Sequence, residues 1–135
     1  MTATKTVAEK LALKPGTTFW TSHPDRLAII GDLPSGVTVA GALADAGVAL
    51  LFADDADSAR AILDAHRKDL TKPPAVWVAY PKANRTDINR DTLWPLVVPY
   101  GLRPNGQVAL DDAWSALRFR ATRDGEAPFT GGKKS

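Results

Sequence analysis

The sequence predicts a mainly parallel α/β domain: a three-layer sandwich of five to six strands with an antiparallel C-terminal hairpin. Three observations carry that expectation. Short β-branched and aromatic runs alternate with helix-forming segments from Thr17 to Pro99, the pattern of strands joined by crossovers. Two runs, Val48 to Phe52 and Ala75 to Tyr80, are almost continuously apolar, as strands buried on both faces are. The last two runs, Gln107 to Leu110 and Trp114 to Arg120, flank Asp111-Asp112-Ala113, which reads as a tight hairpin turn.

Taken in order, Val7, Leu11 and Leu13 lie among helix formers closed by Pro15-Gly16, a brief leading helix. Thr17 to Thr21 is the first strand. Ser22-His23-Pro24-Asp25 then opens a helix carrying Leu27, Ile29 and Ile30. Ser22 or His23 caps it, and Pro24 suits the first turn, where its missing N–H costs nothing. Val37 to Ala40 is a short second strand, and Ala42 to Gly47 is a small-residue linker with room for one helical turn. After the third strand, Val48 to Phe52, come Asp54, Asp55 and Asp57, capping residues whose charge suits a helix N-terminus. Ala59, Ile62, Leu63, His66 and Leu70 form the stripe of that helix, and Lys72-Pro73-Pro74 stops it.

Ala75 to Tyr80 is the fourth strand, followed by a polar loop. Asp91 or Thr92 caps the next helix. Pro95 fits only near its first turn, and Pro99 with Gly101 ends it, so this helix should be short and irregular. Beyond the hairpin, residues 122–135 hold Gly125, Pro128, Gly131 and Gly132 with few apolar residues. They read as a flexible basic tail on a domain of residues 1–121.

Composition excludes several chemistries. The chain has 135 residues and no cysteine, so disulfides, thiolate nucleophiles and cysteine-bound zinc are ruled out. No apolar run reaches the roughly 18 residues that span a bilayer, and Met1 to Leu13 lacks the apolar stretch of a secretion signal. A cytoplasmic protein without a membrane association is expected. The net charge of +2 is small. It is unevenly placed, with Arg118, Arg120, Arg123, Lys133 and Lys134 near the end. That asymmetry admits nucleic-acid binding but fits a solvated tail better.

Alternating strands and helices closed by an antiparallel hairpin resemble the class I methyltransferase fold, a Rossmann-like sheet, shortened by about one strand–helix unit. A closer resemblance is to a small, mainly actinobacterial family, the domain of unknown function 3052 family. It is carried by Ala8-Glu9-Lys10-Leu11 with Lys14-Pro15-Gly16, by Val76-Trp77-Val78-Ala79-Tyr80-Pro81-Lys82, by Thr86-Asp87 with Arg90-Asp91, and by Asp111 to Phe119. The resemblance implies a fold and brings no catalytic residue with it.

A methyltransferase of this layout needs a glycine-rich turn after the first strand and an acid ending the second. Here the turn is Thr21-Ser22-His23-Pro24-Asp25, and the second strand ends Val39-Ala40-Gly41. Both handles for S-adenosylmethionine are missing, and no cofactor is expected. Ligands of open sheets bind beyond the carboxyl ends of the strands. Ser22, His23, Lys82, Arg85 and Asp87 are the candidate ligand residues there, suited to a small phosphate or carboxylate. The plainer reading makes Ser22 and Asp55 caps, with Lys82 and Arg85 solvated.

His23 is a candidate general base, since histidine is the residue type that ionises near neutral pH, but the sequence offers no serine-plus-acid triad for it. His66 sits on an apolar stripe, and the two histidines lack metal-ligand spacing, so no metal is expected. Asp111-Asp112 reads as a turn. Trp114, Arg118 and Arg120 share one face of the last strand, a basic-aromatic patch for a partner. The leading expectation is a non-catalytic binding or interaction module that can dimerise through the hairpin edge. The alternatives are an enzyme or binder acting on a small anion, and a nucleic-acid binder.

Overall fold

The computed structural model describes residues 11, 13–31, 33, 35–82, 86–122, 125 and 126. Its centre is one six-stranded sheet. The strands are β1 (Thr18–Thr21), β2 (Thr38–Val39), β3 (Val48–Phe52), β4 (Ala75–Pro81), β5 (Leu102–Ala109) and β6 (Trp114–Ala121). Their spatial order is β2-β1-β3-β4-β6-β5. β1 pairs parallel with both β2 and β3, and β3 pairs parallel with β4. β6 is antiparallel to both its neighbours. The chain therefore places β2 on one side of β1 and β3 on the other, so the topology reverses between β1 and β3.

All five residues of β3 are buried, as are Ala75 to Tyr80 of β4, which is why these strands carry no alternation. Leu51, Val76, Val78, Tyr80, Leu117 and Phe119 face two helices, α1 (Ala56–Ala65) and α2 (Arg90–Val97), with Leu63, Leu93 and Val97 packed on them. Phe19, Leu50, Phe52, Trp77 and Ala116 face the other way, under Leu11, Leu13 and Ile30. Each fully buried leucine or phenylalanine contributes about 1.5–3 kcal/mol of transfer free energy. The two apolar faces set the register, because a slip of one residue would turn β4 inside out.

Several expectations change. The leading helix falls largely on residues 1–10 and 12, outside those described. The segment after β1 is a 3-10 helix, Pro24–Ile29. Ser22 points its hydroxyl at β3 instead of capping that helix. The linker carries the expected single turn, Leu43–Asp45. Asp55 caps α1, with its side chain accepting from the Ser58 N–H.

The cap of α2 is Asn89, not Asp91 or Thr92. Its carboxamide oxygen accepts from both of their N–H groups, and the Thr92 hydroxyl returns the bond. Pro95 lies in the second turn, not the first. It leaves the Asp91 carbonyl without its usual donor, yet the helix continues to Val97 and a 3-10 turn, Val98–Tyr100. Gly101 ends that turn at φ 89°, in the left-handed region where glycine carries no steric penalty.

The hairpin is present but is not an edge element as a whole. β5 starts five residues earlier than expected, at Leu102, and forms the edge. β6 is inserted between β4 and β5. Trp114, Arg118 and Arg120 therefore belong to an internal strand. The turn itself is as read: Asp111 Oδ1 accepts from the Ala113 and Trp114 N–H groups at 2.8 and 2.7 Å, the local bonding that makes aspartate a turn former.

Candidate functional site

The default ligand crevice of an open α/β sheet lies beyond the strand carboxyl ends, where the topology reverses. Here that place lies between the ends of β1 and β3. β1 leads into Ser22, whose N–H donates to the Leu50 carbonyl at 3.0 Å. The Ser22 hydroxyl accepts from the Phe52 N–H at 2.9 Å and meets His23 Nδ1 at 2.7 Å. These bonds extend the β1–β3 ladder by side chain, past the last paired residues.

Arg26 then reaches across from the 3-10 helix. Its guanidinium donates to both Asp54 oxygens, at 2.9 and 3.2 Å. The same guanidinium stands 5.5 Å from the centre of the Phe52 ring and 5.3 Å from that of Trp114. The two rings meet edge to face at 5.4 Å, and His23 stands edge to face with Phe52 at 5.8 Å. Arg26 is thus held by a planar two-bond pair and by two aromatic rings. The crevice is lined by the chain's own charge and aromatic surface. Asp54 accepts from Arg26 with both oxygens.

The helix N-terminus beside the crevice is also occupied. Asp87 Oδ1 accepts from the Ala56 N–H at 2.8 Å, and Asp55 Oδ1 accepts from the Ser58 N–H at 2.8 Å. Two carboxylates of this chain satisfy donors that an external anion would use.

The candidate ligand residues consequently go to separate places. Ser22 and His23 join the crevice cluster. Asp87 caps α1. Lys82 lies beyond β4, in a groove lined by Tyr80, Asn89, Arg90, Gln107 and Ser115. Arg85 lies outside the described residues.

The basic-aromatic patch divides in the same way. Trp114 faces Arg26. The Arg118 guanidinium lies 5.8 Å from the Trp77 ring centre. Arg120 makes a double bond pair with Glu126, at 3.0 and 2.7 Å, which holds its guanidinium above the usual arginine range. Arg103, opposite Arg120 in the β5–β6 register, meets the same Glu126 at 3.0 Å. Glu126, expected in the tail, is anchored to the sheet.

His66 packs edge to face with Trp20 at 5.0 Å, the structural role that its stripe position implies. Among the described residues, no three His, Asp or Glu side chains converge as a metal site. Nor is any described helix long and apolar enough to cross a membrane.

Sequence reasoning missed Arg26 as a site residue, and with it the cluster. The pair joins residues 28 positions apart, and no local pattern marks it. Phe52 had a signal, because it ends an apolar strand two residues before an acid.

No family profile and no curated protein sequence matches the chain. Solved structures do match in fold. A protein of the NADB-Rossmann superfamily from Streptococcus agalactiae superposes with a TM-score of 0.58 at 12% identity, over 96% of this chain and 72% of that one. The M1A22 tRNA methyltransferase TrmK of B. subtilis gives a TM-score of 0.55 at 12% identity, over 90% and 68%. A ribosomal protein L11 methylase from Lactobacillus delbrueckii subsp. bulgaricus gives 0.51 at 11% identity, over 85% and 74%. The fold is Rossmann-like and methyltransferase-like. At such identities the likeness carries fold and no chemistry.

Proposed function

We propose that this chain is a non-catalytic binding module built on a methyltransferase-like fold, and that it does not use S-adenosylmethionine. The observation that carries the reading is the Arg26–Asp54 pair against the Phe52 and Trp114 rings, in the crevice where such folds take their ligand. The Thr21–Asp25 turn supports it, since it has no glycine to let a cofactor approach the backbone. We propose as well that the chain belongs to the domain of unknown function 3052 family, which brings no activity with it. Equilibrium dialysis against labelled S-adenosylmethionine tests the reading. The expected result is no binding tighter than about 1 mM. Saturable micromolar binding would overturn it.

A second reading has one observation in its favour. Among the described residues β5 is the outer strand of the sheet and pairs only with β6, so its edge can accept a strand from a second copy. Pro104 and the register shift between Pro104 and Gly106 restrict that pairing to the C-terminal half of β5. Sedimentation velocity tests it: a dimer whose association is lost in Ala109→Pro, whose N–H faces away from β6, supports the edge. A monomer at high concentration excludes it.

A further inference from the structure

Two adjoining open grooves lie away from that crevice, on the helix face of β4 and β6 and against β5. They share Arg90 and Gln107 and form the two lobes of one surface. One lobe, of about 390 Å³, reaches Lys82, Tyr80 and Ser115. The other, of about 460 Å³, is walled by Trp94, Pro104 and Leu117. Cavities of a few hundred Å³ suit small ligands.

The first lobe is rich in donors. Tyr80 and Ser115 are only 4% and 6% exposed, yet both line it. The Tyr80 hydroxyl accepts from Gln107 Nε2 at 2.8 Å, and its own proton has no acceptor among the described residues. Ser115 donates to the Val108 carbonyl at 3.0 Å. Lys82 has no acidic partner among the described residues. The ion pair of Arg90 is with its neighbour Asp91, at 3.4 Å through Nε, leaving the fork of the guanidinium for other acceptors. A tyrosine O–H that opens on a groove beside two cations suits an anion. The second lobe offers a partly exposed indole with proline and leucine beside it, a seat for a flat ring.

We infer that this groove binds a small ring compound carrying one carboxylate or phosphate. The anion sits against Tyr80, Lys82 and Arg90, and the ring lies on Trp94. Asp91, at the indole lobe, keeps the charged end in the other lobe. The inference rests on the reading of the domain as a binding module. It involves none of the crevice residues, so the two fail separately.

Isothermal titration at low salt with indole-3-carboxylate, adenosine 5′-monophosphate and inorganic phosphate tests it. At least one ring acid should bind, and which one it is separates an aromatic carboxylate from a nucleotide. Phosphate alone should bind more weakly. Lys82→Met and Arg90→Gln, both at solvent-accessible positions, should each weaken binding about tenfold. Tyr80→Phe should weaken it too, while circular dichroism stays unchanged. Absence of binding by both ring acids at about 5 mM would overturn the inference. So would binding that the Lys82→Met, Arg90→Gln double variant leaves intact.

Discussion

Arg26 and Asp54 face each other across the carboxyl ends of β1 and β3 and share two hydrogen bonds, at 2.9 and 3.2 Å. Their side chains are 25% and 48% exposed, so solvent screens part of the attraction. The pair is reinforced by the Phe52 and Trp114 rings. Arg26→Ala should cost about 1–2 kcal/mol, combining a partly exposed two-bond pair with its ring contacts. Asp54→Ala should cost less, because the rings still hold Arg26. Urea unfolding of both single variants and the double variant measures the coupling, expected near 0.5–1 kcal/mol. A coupling of zero would mean that the pair does not hold the crevice.

Asp87 ties the loop after β4 to the first turn of α1 through the Ala56 N–H. Asp87→Ala should destabilise the protein by about 1 kcal/mol, as loss of a capping acceptor does. Asp87→Asn keeps an acceptor oxygen and should cost less. Amide exchange at Ala56 gives a local readout: it should accelerate in the alanine variant and change little in the asparagine variant.

Glu126 neutralises Arg103 and Arg120, which stand opposite each other on β5 and β6. Removing it leaves like charges directly across a strand pair, an unfavourable arrangement. Glu126→Gln should lower stability by about 1 kcal/mol at low ionic strength, and added salt should recover part of the loss by screening. Thermal unfolding at two salt concentrations checks the sign.

Asp64 joins α1 to the turn after α2. It accepts a hydrogen bond from the Tyr100 hydroxyl and another from Arg67 at 2.9 Å. The Tyr100 bond first, and Arg67 second, hold its carboxyl below the usual aspartate range. A carboxyl with a lower pKa in the folded state stabilises the fold above its unfolded pKa, and that stabilisation fades as pH falls through the folded pKa. Following the Asp64 carboxyl resonance should show a titration at lower pH than in an unstructured peptide. In Tyr100→Phe the midpoint should move upward, and an unmoved midpoint would contradict the assignment.

Much of this architecture is legible in the residues. Val48–Phe52 and Ala75–Pro81 are apolar on both faces, so they read as central strands, and Asp55 after Phe52 reads as a cap. Two kinds of feature were hidden. Asn89 outcompetes Asp91 and Thr92 as a cap because its carboxamide oxygen reaches both of their N–H groups, a choice made by loop geometry and not by residue type. The crevice cluster is assembled by topology. Arg26, Asp54 and Trp114 come from three segments that meet only because β3 lies beside β1 and β6 enters the sheet next to β4. Trp114 and Arg118 do share a face, as the period of two requires, yet each faces a different partner.

The proposal that this crevice takes no S-adenosylmethionine is tested most directly by an amide and indole proton–nitrogen spectrum of the whole chain during titration with that cofactor. The account predicts that the Ser22, His23 and Arg26 amides and the Trp114 indole stay in place up to about 1 mM ligand. Saturable movement of those signals would show that the crevice opens to the cofactor, and would contradict it.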